Sequence, residues 1–133
     1  MPGMQAVYYR ESDGSEPVRV FLNELEPEER AVLDLQIDRL NMLQDGDPPL
    51  PFPHSSQVEG DLRELRCHYG RRLYRVLYRR SRRLFVLLHV FRKNSDAVPA
   101  AEKAIAADRW DDFQRRINEV PRRTTRPAGR DAP

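Results

Sequence analysis

Apolar and polar positions alternate with a period of two in the middle of the chain and recur with a helical period on both sides of it. In VRVFLNEL, Val18, Phe21, Leu22 and Leu25 fall at i, i+3, i+4 and i+7, the spacing of one buried helix face. Pro17 opens that run. Pro27 opens a second, longer helix to about Gln44, with Glu28 and Glu29 beside the positive end of its dipole and Gly46 as its stop. Its stripe is Val32, Leu33, Leu35, Ile37, Leu40 and Leu43. MQAVYYR (4–10) predicts a strand ahead of both helices. The segment GDPPLPFPHSS predicts a connector that is neither helix nor central strand. Strand-like runs follow at 61–69, 72–80 and 83–93, with short polar connections that favour an antiparallel meander. From Pro99 onward Ala106, Trp110, Phe113 and Ile117 mark a last helix whose aromatic residues belong to the core.

The predicted fold class is therefore α+β, a small antiparallel β-sheet with two N-terminal helices and one C-terminal helix. With the helices on one face, the other face of the sheet is free to be a site. Residues 1–120 form a single domain, and the tail 121–133, PRRTTRPAGRDAP, has no apolar periodicity and is expected to be disordered.

Composition adds one large feature. The net charge of +2 conceals two opposed halves. Between Glu11 and Asp47 there are eleven acidic residues and three basic ones; between Asp61 and Lys93 there are eleven basic residues and two acidic ones. Such asymmetry points to a polyanion-binding surface, or else to internal pairing between the halves. Cys67 is the single cysteine, which excludes an intrachain disulfide and makes a zinc site untenable without several other ligands. The N-terminus lacks the apolar region of a signal peptide, and the longest apolar run, 84–91, is too short to span a bilayer. The expectation is a cytoplasmic protein without membrane association.

Alternation places the candidate chemistry. Leu73, Arg75, Leu77 and Arg79 share one face of their strand, and Glu64, Arg66 and His68 share a face of theirs. Arg75 is mid-strand among apolar neighbours, so its guanidinium must be partly buried and needs an anionic partner. Phe85, Leu87, His89, Phe91 and Lys93 share one parity, so Arg66, Arg75, His89 and Lys93 can gather near one end of the sheet. Arg79, Arg80, Arg82 and Arg83 fit a solvated hairpin tip. No P-loop, GxGxxG or HExxH motif is present, and no carboxylate pair falls on the sheet site, so neither metal nor cofactor is expected. Cys67 and His68 point to opposite faces and cannot form a dyad. A basic surface with a histidine can bind phosphate. It can also cut RNA without metal, because the 2′-hydroxyl itself attacks the adjacent phosphate.

LRELR (62–66), YRVLY (74–78) and LLHVFRKN…P (87–99), followed by a helix ending in DRWDDF (108–113), resemble the RelE/HigB superfamily of type II toxin–antitoxin toxins, in particular its phage-derived HigB-like branch. The resemblance runs from about Tyr8 to Phe113. It implies a small cytoplasmic mRNA interferase that cleaves mRNA on the ribosome, with a cognate helix-turn-helix antitoxin and a toxin–antitoxin hetero-oligomer. Carried over, Arg75, Lys93 and His89 would be catalytic, and Arg66, Arg63, Arg79 and Arg92 would bind RNA phosphate. Where the family usually reads like KKTxKTP, this chain keeps one lysine, Lys93, and adds Asp96, which weakens phosphate binding locally. Two other classes stay open: a non-catalytic toxin of the same fold, like the gyrase-blocking ParE toxins, and a plain basic nucleic-acid-binding module.

Overall fold

The computed structural model describes residues 3–92, 97–119 and 126–130. In chain order it contains β1 (Gln5–Tyr8), α1 (Pro17–Asn23), α2 (Pro27–Asn41), β2 (Ser55–Glu59), β3 (Leu62–Tyr69), β4 (Arg72–Ser81), β5 (Leu84–Arg92), α3 (Ala100–Glu119) and β6 (Arg126–Pro127). The class is α+β, and the three helices accompany a six-stranded sheet of order β2-β3-β4-β5-β1-β6. Strands β2 to β5 form the antiparallel meander. β1 breaks the expected pattern, since it runs parallel to β5. A parallel neighbour needs a long crossover, and α1, α2 and the whole meander provide it.

The helices do not share a face. α1 and α2 cover one side of the sheet, where Val18, Leu22, Leu33, Ile37 and Leu40 pack on Leu65, Cys67, Val76, Tyr78 and Leu87. α3 covers the other, where Ala106, Trp110 and Phe113 pack on Leu77, Val86, Leu88 and Phe91. The face expected from the sequence to be free is thus the one on which α3 packs, because central strands such as β5 are apolar on both sides and must be covered twice. On the same face Glu64, Arg66 and Arg75 occupy the β3–β4 part of the sheet.

The connector and the tail each carry a short strand at an edge of the sheet, the first in keeping with a segment that is neither helix nor central strand. The proline-rich connector ends in an edge strand, β2, whose Ser55 is buried and shares a 2.6 Å hydrogen bond with the Tyr78 hydroxyl. Its prolines precede the strand, so none of them interrupts the ladder to β3, which shifts register only between Gln57 and Glu59. The tail expected to be structureless carries β6, which adds to the free edge of β1 through main-chain pairing that no apolar pattern announces. Residues 121–125 and 131–133 of that tail lie outside the described residues.

Cys67 is buried in the α1/α2 core, and burial pushes its thiol up to about 12. Among the described residues no helix is long and apolar enough to cross a membrane.

Candidate functional site: an arginine pair on the α3 face of the sheet

Strands β3 and β4 pair in a register that sets Arg66 directly opposite Arg75, and Glu64 opposite Leu77. All of these point to the face of α3. Two guanidinium groups side by side repel, and Glu64 on the diagonal resolves the conflict. Its Oε1 accepts a hydrogen bond from Arg66 Nη1 at 3.2 Å and another from Ser56 Oγ at 3.1 Å. Its Oε2 lies 3.5 Å from Arg75 Nη1. Arg75 is fully buried and Glu64 is 3% exposed, so this ion pair has been removed from water. Arg66 retains some exposure and lies against the Phe52 ring, 5.2 Å from its centroid. Phe52 itself is 70% exposed, which makes it the outer wall of the cluster. Two cations around one carboxylate leave local positive charge at the surface that Arg66 reaches.

His89 does not join them. A register shift between β4 and β5 sets Leu77 opposite His89 but Tyr78 opposite Leu87, so Leu88 is the extra residue of a β-bulge. The bulge reverses parity: Phe85 and Leu87 pack in the α1/α2 core, whereas Phe91 packs in the α3 core. His89 therefore comes to the α3 side, but two strands from Arg66, a separation of roughly 10 Å. There α3 holds it. Arg109 Nη1, which also donates to the Leu88 carbonyl at 2.8 Å, lies 3.2 Å from His89 Nδ1. His89 Nε2 lies 2.8 Å from Glu102 Oε2. Because arginine only donates, Nδ1 accepts and the ring proton sits on Nε2, donating to Glu102. The imidazole is neutral and both nitrogens are engaged.

Burial holds the His89 pKa below its ordinary 6.5, Arg109 adds to the depression, and Glu102 opposes it. A depressed folded-state value means that the unfolded chain takes up this proton first as pH falls. The stabilisation is present above about pH 6.5 and is lost below it. We expect the urea midpoint of the wild-type chain to fall between about pH 7 and about pH 5, and His89→Gln to reduce that slope by less than about 1.4 kcal/mol per pH unit. An unchanged slope in the variant would mean that His89 is not the group responsible.

The remaining candidates divide between the faces. Arg79 lies on the α3 face, with its guanidinium 4.4 Å from the centroid of the Trp110 ring and 3.6 Å from the exposed Asp61 carboxylate. Arg63 points the other way, donating to the Leu50 carbonyl at 3.0 Å. Arg92 also lies on that opposite side, in an open cleft with Glu28, Glu29, Arg71 and Arg72. Lys93 lies outside the described residues. Of the predicted set, the structure brings together Arg66 and Arg75; Arg79 shares their face, and Arg63 and Arg92 do not. The hairpin tip is partly paired, since Arg80 meets Asp45. Arg72 with Glu29 makes a second link between the acidic N-terminal half and the basic strands, as internal pairing requires. Sequence reasoning missed Phe52, Glu102 and Arg109. Glu102 and Arg109 are seven residues apart on α3, two turns along one face, and that spacing was the available signal.

Among the described residues no group of three or more histidine, cysteine or acidic side chains is arranged to hold a metal ion.

A family model described as phage-derived protein Gp49-like (DUF891) matches residues 20–111. A search of curated proteins found no match.

Proposed function

Since the chain belongs to the phage-derived Gp49-like family, within the RelE/HigB-like toxins, we propose that it is a HigB-like toxin that inhibits translation by cutting mRNA on the ribosome. Membership of a toxin family points to an antitoxin as partner; in this proposal the antitoxin is a helix-turn-helix protein, and the other partners are the ribosome and mRNA. The observation that carries the reading is the Arg66–Glu64–Arg75 cluster on the α3 face of the sheet, with Arg66 its partly exposed member.

In the reaction proposed, the RNA 2′-oxygen attacks the adjacent phosphorus and the bond to the 5′-oxygen breaks. The 2′-hydroxyl loses its proton and the departing 5′-oxygen gains one, leaving a cyclic phosphate and a 5′-hydroxyl. Extra negative charge develops on the phosphoryl oxygens, and fixed cations out of water stabilise it more than solvated ones do. Arg66 is the cation with access to a phosphate. Arg75 sits behind it and holds Glu64, so Arg75 acts largely by positioning and by its field. Lys93, one residue past the end of β5, is the proposed third cation. His89 is less suited to carry a proton, because Glu102 and Arg109 occupy its nitrogens.

Two features favour a second reading, a non-catalytic toxin of the same fold that blocks gyrase: Arg75 has no exposed surface, and His89 is already satisfied. Induced expression separates the two. The first reading expects growth arrest with mRNA cut inside reading frames on ribosomes. Relaxed or broken DNA with intact mRNA would establish the second. A short adjacent reading frame encoding a helix-turn-helix protein would support either against a plain nucleic-acid-binding module.

A further inference from the structure

The segment Arg126–Arg130 sits on the molecule as a peptide sits on a receptor. Its strand β6 pairs antiparallel with β1, Pro127 opposite Val7 and Arg126 opposite Tyr8, and the Ala128 amide donates to the Ala6 carbonyl at 2.8 Å. This is strand addition to an open sheet edge, in which main-chain bonds supply affinity and side-chain pockets supply selectivity.

The pockets are built from groups of α1, α2 and their flanks. The Asn41 side chain bridges the two strands: its Oδ1 accepts from the Ala6 amide at 2.7 Å and its Nδ2 donates to the Ala128 carbonyl at 2.8 Å. Ala128 is completely buried, so the seat has room for a small side chain there. Gly129 has φ +119°, and a Cβ at that position would run into Asp38 Oδ1 and Asn41 Nδ2. Asp38 Oδ1 then accepts from the Arg130 amide at 2.9 Å. At the other end the buried carboxylate of Glu16 accepts from Arg126 Nε at 2.8 Å. The specificity is thus for arginine, a small residue and glycine in an extended run.

We propose that the outer edge of β1, with Glu16, Asp38 and Asn41, is a binding seat for an extended peptide of the Arg-Pro-Ala-Gly-Arg type, which the chain's own residues 126–130 fill as an exchangeable ligand. The segment contributes one buried apolar side chain and otherwise polar and main-chain contacts, which places it at the low-stability end of the fold. A partner segment must offer the same chemistry and outcompete a tethered occupant, whose effective concentration is about millimolar for a short linker.

The test uses the full-length chain and a fluorescent peptide of residues 124–132, TTRPAGRDA. Gly129→Val should unseat the tethered segment while leaving the seat intact. The peptide is expected to bind folded Gly129→Val at least about tenfold more tightly than wild type, because the seat is open in under about a tenth of wild-type molecules. Asn41→Ala added to Gly129→Val should remove that binding, and a peptide carrying valine at the glycine position should not bind. Equal affinity for both chains, or no binding to a folded Gly129→Val chain, would overturn the proposal. So would loss of the folded circular dichroism spectrum in Gly129→Val, since the segment would then be an integral strand.

Discussion

Replacing Arg75 by methionine is expected to lower the free energy of unfolding by up to about 3–5 kcal/mol, because it removes one of the two cations that compensate a buried carboxylate, and to abolish growth arrest. Glu64 and Arg75 are both buried, and Glu64 lies between Arg75 and Arg66. With Arg75 gone, Glu64 keeps Arg66 and Ser56 but loses the cation on its inner side. Methionine preserves much of the length and apolar stem of the arginine, so the loss is chiefly electrostatic. The double variant Glu64→Gln with Arg75→Met separates folding from function. Replacing both members of a buried ion pair with neutral groups is often close to neutral for stability, so most of the lost free energy should return. Growth arrest should not return, because the fixed cation behind the phosphate site is still missing. Urea midpoints and growth curves after induction are the two measurements. A double variant as toxic as wild type would reduce Arg75 to a structural residue and move the site elsewhere.

Arg66 and Arg75 were legible as neighbours because period-two alternation needs only an uninterrupted ladder, and β3–β4 pairing has no break from Arg63 to Tyr69. His89 was assigned by the same rule, with a different result. The bulge at Leu88 inserts one residue, and a run of apolar side chains buried on both faces contains no alternation to reveal it. The helices were legible from their stripes, yet a stripe says which side of a helix is buried and not which face of the sheet it meets. That is why α3 was expected beside α1 and α2. The charge asymmetry was visible, but its partition was not: Arg72 and Arg80 serve pairs with Glu29 and Asp45, while Arg66 and Arg75 share Glu64. β6 rests on main-chain hydrogen bonds and on polar contacts with Glu16, Asp38 and Asn41, none of which leaves an apolar period in the residues themselves.

Trp110→Ala is expected to cost about 3–5 kcal/mol, from lost burial plus the cavity left behind, a large share of the roughly 5–15 kcal/mol available to a domain. Trp110 is stacked on Phe113 with ring centroids 5.8 Å apart, and Arg79 caps its other neighbourhood with a cation–π contact. These contacts seat α3 on Leu77, Val86 and Leu88. The same helix carries Glu102 and Arg109 to His89, and Asp112 to the Tyr9 hydroxyl at 2.6 Å. Loosening it therefore unmakes the neutral, doubly held state of His89 and frees Arg79 together. Trp110→Phe keeps an aromatic ring against Phe113 and Arg79, and should cost markedly less than the alanine variant. Because Trp110 is the only tryptophan, its fluorescence reports α3 docking in the wild-type chain, while far-ultraviolet circular dichroism must follow the variants. If Trp110→Ala shifted the urea midpoint by the equivalent of less than about 1 kcal/mol, α3 would be a loosely held cover. His89 would then be available for proton transfer after all, and the first reading of its role, as a catalytic group, would regain its force.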